Sequence, residues 1–311
     1  MRADDIAEKH IPVLLDEIVD SIQIDSLKQN VIVDATLGMG GHASAIMNKM
    51  NPGDIFVGFD ADEQNLILAK NRLKPISEEK NIQLILINDN FCTLKSSLEQ
   101  HNIESITGIY YDLGISSVHL DEAQRGFSFM QDGPLDMRLD KSHGHKAADI
   151  VNGYTASELR KIFLEYGEEP GANKIAHTIV DKRKKQKFNT TLDLAEVIPG
   201  PPRVKARIFQ ALRIEVNNEL ENIETSLLQA TQMLKSQGRI SVISFHSLED
   251  RIVKHFFKKE TKDCICHDIP CSCHHKKTLR IITKKPVLPS MQEIEKNQRS
   301  RSAKARIAEK I

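Results

Sequence analysis

A run of β-branched residues that ends in a carboxylate and then breaks into glycines constrains this chain more than any other stretch: VIVDATLGMGGH, residues 31–42. Val31, Ile32 and Val33 suit a strand buried on both faces, and Asp34 closes it. Gly38, Gly40 and Gly41 then lead into HASAIMNKM, which is compatible with a helix. A strand that passes through glycines into a helix brings free backbone N–H groups close to a ligand, an approach that only glycine permits. Twenty residues beyond Gly40, a second apolar strand, IFVGF, ends in Asp60. In a doubly wound fold an acidic residue at that spacing holds a ribose hydroxyl, so a nucleoside-containing cofactor is the first expectation.

The glycines alone do not choose the nucleoside. Gly38, Gly40 and Ala43 also fit the dinucleotide fingerprint, whose third glycine is replaceable by alanine. Asp34 tilts the choice. A carboxylate at the end of the first strand repels a pyrophosphate but suits the ammonium of a methionine moiety. S-adenosylmethionine carries that ammonium and a sulfonium and has no phosphate, so charge favours the methyl donor over NAD.

Global charge is silent about nucleic acid, because 43 Lys and Arg balance 43 Asp and Glu; any footprint must be local. No apolar run nears the roughly 18 residues of a membrane span. The opening MRADDIAEKH lacks the apolar region of a signal peptide. Five cysteines, four of them within residues 264–273, do not look like a secreted disulfide framework, so the cytoplasm is the expected compartment and no membrane is expected as a partner.

Along the chain, HIPVLLDEIVDSI (10–22) carries a helical apolar stripe, Glu63–Leu73 reads as a helix, QLILIN (83–88) as a strand, 93–101 as a helix and GIYYDLG (108–114) as a strand. Strands and helices alternating at this pace predict a parallel sheet covered on both faces. The period breaks at 115–140, a long loop that reads as a lid or substrate loop; Phe127, Phe129 and Met130 argue against disorder there. Only helices follow: Ala156–Tyr166 behind a Thr155/Glu158 capping box, Asn173–Gln186, and Thr191–Val197 before Pro199-Gly200-Pro201-Pro202. An amphipathic pattern from Ile208 to Lys235 then precedes the strand RISVISF, so the helical insert splits the sheet. A helix from Ser247 to about Lys259 and a strand pair, Leu279–Thr283 with Ala305–Ala308, complete the reading.

HIPVLLDEIVD, DATLGMGGH, FDAD, YYDLGISS, RGFSFMQDGPLDMR, FQALRIEVNNEL and SFHSLEDRIVK, seven ordered blocks from His10 to near the C-terminus, resemble the bacterial RsmH/MraW family. Those proteins are S-adenosylmethionine-dependent methyltransferases acting on the exocyclic amine of a cytidine in small-subunit ribosomal RNA. The resemblance implies an α/β fold, a class I (Rossmann-like) methyltransferase sheet interrupted by an inserted all-helical domain. It implies a discontinuous donor-binding domain, 1–120 with 207–311, and a lid loop with a helical substrate-recognition domain, 121–206. It carries the donor site onto Gly40, Gly41, His42, Asp60, Phe91 and Asp112, beside the Asp34 and Gly38 read directly above. The family's usual glutamine in SSxQLD falls on His119 in SSVHLD, and a histidine there still donates or accepts a hydrogen bond.

Methyl transfer to a cytosine amine is an in-line displacement on a poor nucleophile, so positioning and an acceptor for the amine hydrogens carry it. Asp112, at the end of the fourth strand, is the candidate acceptor, although the resemblance also assigns it to the donor. Ser116, Ser117, Asp136 and Asn217 are weaker candidates, with solvated or capping roles as the alternative. Cys92 reads as a small buried residue rather than a catalyst. Phe91 either stacks on adenine or packs in the core. The basic run Lys182, Arg183, Lys184 and Lys185, with Arg203, Lys205 and Arg207 near in sequence, is the candidate grip on RNA phosphates; the alternative is a solvated helix end. Cys264, Cys266, Cys271 and Cys273, with three histidines in the same twelve residues, are candidate zinc ligands, although the C-x-C spacing is tighter than usual; unligated thiols are the alternative. No signature of a deaminase-type catalytic zinc is present. The expected partner is ribosomal RNA or the small subunit. Oligomeric state stays open, with a homodimer as one option. The rival readings are an NAD(P)-dependent oxidoreductase and a non-catalytic RNA-binding assembly factor.

Overall fold

A computed structural model describes residues 11–266, 268 and 272–311, and for Ser117 and Val118 the backbone only. The chain resolves into two compact units, residues up to Gly114 with Leu220–Ile311, and Ile115–Glu219.

The first unit holds a seven-stranded sheet. Its strands are β1 (Val31–Asp34), β2 (Ile55–Phe59), β3 (Gln83–Ile87), β4 (Ile106–Asp112), β5 (Leu234–Ser244), β6 (Leu279–Ile281) and β7 (Lys304–Lys310), in the spatial order β3-β2-β1-β4-β5-β7-β6. β1 pairs in parallel with both β2 and β4, and only β7 runs antiparallel to its neighbours β5 and β6. The direction of chain progression therefore reverses between β1 and β4, which is where open α/β sheets bind ligands.

Alternation along β1 explains the β-branched run. Val31 and Val33 join one apolar cluster with Val57, Phe59, Ile109 and Tyr111, while Ile32 joins the opposite one with Phe56, Tyr110 and Ile243. Helices α1 (Leu15–Ser21), α2 (Gly41–Met47) and α3 (Glu63–Lys80) cover the second face; α4 (Leu94–Gln100), α11 (Glu219–Met233) and α12 (Ser247–Glu260) cover the first. Helix α3 continues past the expected end at Leu73, through Pro75. The proline forfeits one backbone bond, but Ile76 beyond it still packs on the core, and Asn81 closes the helix in the left-handed conformation, φ 53°.

The second unit contains α5 (Ser117–Asp121), α6 (Ala147–Gly153), α7 (Ala156–Glu165), α8 (Ala172–Arg183), α9 (Thr191–Val197) and α10 (Pro202–Asn217) around its own core of Phe127, Leu135, Ile150, Phe163, Ile179 and Leu212, among others. The capping box at Thr155 and Glu158 opens α7 as its spacing predicts. The single amphipathic run expected over Ile208–Lys235 is two helices, α10 and α11, separated by Asn218 at φ 50°. Ile208, Phe209 and Leu212 pack in the second core, whereas Ile223, Leu227 and Ala230 pack in the first. That division is why α10 falls in the second unit, whose bounds reach Glu219 where the sequence suggested 206.

Among the described residues, no helix is long and apolar enough to cross a membrane.

Candidate functional site

The loop after β1 is pinned by its neighbours. The Leu37 amide donates to the Phe59 carbonyl at 2.8 Å, and the Gly40 amide turns back to the Leu37 carbonyl at 2.9 Å. Gly40 sits at φ 74°, a conformation that strains any residue with a Cβ. A Cβ on Gly41 would meet Pro12 at 2.6 Å, so the glycine lets α2 start against the N-terminal segment. Asp60, at the end of β2, accepts from the Gly38 amide at 2.8 Å, from the Asp62 amide at 2.8 Å and from Asn65 at 3.3 Å. Its carboxylate thus shapes the glycine loop.

At the switch point the ends of β1 and β4 are cross-tied. The Tyr110 hydroxyl donates to Asp34 Oδ2 at 2.6 Å, the Thr36 amide donates to Asp34 Oδ1 at 3.0 Å, and the Asp112 amide donates to Thr36 Oγ1 at 2.6 Å. Burial pushes the Asp34 carboxyl up to about 7, against the lowering effect of the Tyr110 and Thr36 bonds. Burial also pushes Asp112 up to about 7, with the negative charge of Glu249 adding to it. Asp34 is only 2 % exposed. The Asp112 side chain keeps 20 %, so of the two it is the reachable one. Its Oδ1 is buried with no hydrogen-bond partner among the described residues.

His42, in the first turn of α2, lies beside Asp112. Its Nε2 is 2.9 Å from the Val13 carbonyl, which only accepts, so Nε2 carries the proton and Nδ1 presents a lone pair. Burial lowers the imidazole to about 4 and keeps it neutral. That lone pair is 3.7 Å from Asp112 Oδ2. Phe91 is half-buried and stands edge-on to Tyr111 at 5.8 Å, packed on the apolar cluster. The structure therefore brings Asp34, Gly38, Gly40, Gly41, His42, Asp60, Phe91 and Asp112 into one unit, on or just beyond the carboxyl ends of β1 to β4.

Three contributors were missed by sequence reasoning. Tyr110 and Thr36 hold Asp34 and Asp112, and Glu249, 1 % exposed, accepts from the Phe245 amide at 2.7 Å just past β5. The only local signal was a hydroxyl two residues from each aspartate.

The remaining candidates, apart from the cysteines, belong to the second unit. His119 is buried, with its ring 5.2 Å from that of Phe127 and its Nδ1 3.2 Å from the donating Ser116 amide. Asp136 forms a two-point pair with Arg138, at 2.7 and 3.0 Å. Asn217 accepts from the Leu139 amide and donates to the Met137 carbonyl, both at 2.9 Å, which ties the long loop to α10. Within the basic run, Lys182, Lys184 and Lys185 are exposed. Arg183 instead donates to the Val151 carbonyl at 2.7 Å, a structural contact, and Lys184 pairs with Asp181 at 2.8 Å. Of the cysteine candidates, Cys264, Cys266 and Cys273 converge, and Cys271 lies outside the described residues.

The strand order, the antiparallel β7, the glycine turn and the acidic strand ends together define a class I methyltransferase fold. The chain belongs to the MraW methylase family, whose profile matches residues 7–311. It is 46% identical to ribosomal RNA small subunit methyltransferase H of Carboxydothermus hydrogenoformans, over 97% of this chain and 98% of that protein. The proteins of the same name from Caldicellulosiruptor saccharolyticus and Clostridioides difficile are 46% and 45% identical, over 97% of this chain and 99% of each relative. This membership sets aside the oxidoreductase reading.

Proposed function

We propose that the chain transfers a methyl group from S-adenosylmethionine to the exocyclic amine, N4, of a cytidine in small-subunit ribosomal RNA, in the cytoplasm. The observation that carries the reading is the match over nearly the whole chain to relatives named as ribosomal RNA small subunit methyltransferases. The resemblance of seven ordered sequence blocks to the RsmH/MraW family supports the cytidine amine. When bound, S-adenosylmethionine supplies a methyl carbon activated by a sulfonium.

The residues fit such a ligand. Asp34, Asp60, Asp112 and Glu249 give strand ends of negative charge, which favour a cation and oppose a pyrophosphate. The unpartnered Asp112 Oδ1 is costly to bury unless a ligand donates to it. In this reading Asp34, Gly38, Gly40, Gly41, His42, Asp60 and Phe91 form the donor site, and Asp112 beside them accepts a hydrogen from the substrate amine. Neutral His42 leaves the Asp112 carboxylate unneutralised, so it accepts the amine proton as positive charge develops on nitrogen. The second unit recognises the RNA, and the target base leaves its stack to reach the donor unless already single-stranded. Mass spectrometry of ribosomal RNA nucleosides from cells with and without the gene tests the assignment. Loss of N4-methylated cytidine is expected, and an undiminished level would remove it.

Two measurements probe the roles. Asp34 and Asp112, raised from 3.8 to about 7, hold more protons in the folded chain than in the unfolded one. Their ionisation lowers stability as pH rises between about 4 and 7. His42, lowered from 6.5 to about 4, acts oppositely: stability falls as pH drops through that window. A cationic donor needs the carboxylates ionised. Its affinity is therefore expected to rise between about pH 6 and 8, by up to about tenfold per unit for each proton released. Calorimetry in buffers of different ionisation heat counts those protons, and a flat profile would refute the role of the pair.

Because Arg183 holds the Val151 carbonyl, the RNA grip falls to its lysine neighbours. Replacing Lys182, Lys184 and Lys185 with alanine should reduce the salt slope of RNA binding by roughly 2, at about 0.7 per lost contact to a single strand. An unchanged slope would leave the run as a solvated helix end.

A further inference from the structure

Beyond α12 the chain makes a loop that nothing in the methyl-transfer reading uses. Its neck is closed: the Thr278 amide donates to the Glu260 carbonyl at 2.8 Å, and the Thr278 hydroxyl donates to the buried Glu260 carboxylate at 2.6 Å. Between those anchors none of the described residues is buried, and Ile265 is 39% exposed. The described residues of the loop thus supply no apolar core to hold a fixed shape. Three thiols nevertheless meet within it. Cys264 Sγ lies 3.5 Å from Cys266 Sγ and 3.8 Å from Cys273 Sγ, and all three sulfurs fall within 4.8 Å of one another.

Those separations discriminate between two chemistries. A disulfide brings its sulfurs to about 2.0 Å. Four ligands at about 2.3 Å around a tetrahedral zinc place their sulfurs about 3.8 Å apart. The spacing is that of ligands sharing one ion. The Ile265 amide also points at Cys273 Sγ, at 3.5 Å, an outer contact of the kind that orients a thiolate ligand.

We propose that the loop between α12 and β6 is a structural metal site in which Cys264, Cys266 and Cys273 hold a thiophilic divalent cation of the zinc class. Three sulfurs leave one tetrahedral position for a further donor. The ion does for this loop what a hydrophobic core does elsewhere: it cross-links a segment too polar to pack. None of its three ligands belongs to the acidic strand ends, so the site stands whether or not the donor assignment does.

The test uses the full-length, freshly reduced protein with zinc or cobalt(II). One equivalent per chain is expected, with a sulfur-to-cobalt charge-transfer band and the intense visible absorption of a tetrahedral ion. The combined C264S, C266S and C273S variant should lose both, whereas C92S should keep them. Bound zinc should also protect Lys262, Lys276 and Lys277 from trypsin, and a chelator should reverse the protection. Reduced wild-type protein that takes up no equivalent would overturn the proposal. So would an equivalent that the triple variant retains, or a disulfide among these thiols in protein that binds no metal when reduced.

Discussion

Asp112→Asn is expected to lower turnover by about 10²- to 10³-fold, the usual cost of removing one preorganised group from a polar transition state. The asparagine keeps the shape of the side chain but places an NH₂ or a neutral oxygen where the amine nitrogen needs an anionic acceptor. Folding should not suffer. The native carboxyl is raised to about 7, so above that pH the folded chain carries a buried charge that asparagine removes. Stability at pH 8 should therefore equal or exceed that of the wild type. Donor affinity, measured by calorimetry on the same variant, separates two roles. An unchanged dissociation constant places Asp112 at the amine, and a loss parallel to turnover places it at the donor. A fall in turnover of less than about threefold would take Asp112 out of the machinery altogether.

Gly133→Ala should produce the largest loss of stability, about 3 kcal/mol or more. A Cβ there would land on the Ala123 carbonyl oxygen and lie 2.7 Å from its carbon, both backbone atoms that cannot swing aside. Relief by moving Gly133 is blocked, since its amide donates to Thr191 Oγ1 at 3.2 Å and its carbonyl accepts from the buried Thr191 amide at 2.9 Å. Gly126 is confined similarly, at φ 75° against the backbone of Pro134 and Asp136. Gly153→Ala is the control, because no atom lies within 4 Å of its added carbon, and it should change stability by less than about 1 kcal/mol. Urea unfolding of the three proteins reads the difference. Near-wild-type stability of Gly133→Ala would mean that the loop packs otherwise than described.

These two residues differ in how visible they were beforehand. Asp112 stood at the end of a legible apolar strand, so its placement followed from the period of the chain. Gly133 sat in a loop without periodicity, and only the approach of Ala123 shows why a side chain is excluded there. The basic run shows a similar limit. Charge made Lys182 to Lys185 a plausible RNA grip, yet the turn of α8 gives Arg183 to a carbonyl. The amphipathic stripe from Ile208 to Lys235 hid a break, because one left-handed asparagine does not disturb a hydrophobic pattern.

What the sequence by itself determined is local. The β-branched run, the glycines behind it, Asp60 at its spacing and the alternating strands and helices follow from backbone freedom and periodic burial, which act over a few residues. What only the tertiary structure decided is non-local. Tyr110 reaches Asp34 from 76 positions away because β1 and β4 become neighbours. The shared burial of Asp34 and Asp112 and the neutral His42 between Val13 and Asp112 depend on contacts between distant segments. Desolvation and charge coupling act through space, so the titration of the acidic pair could not be read along the chain.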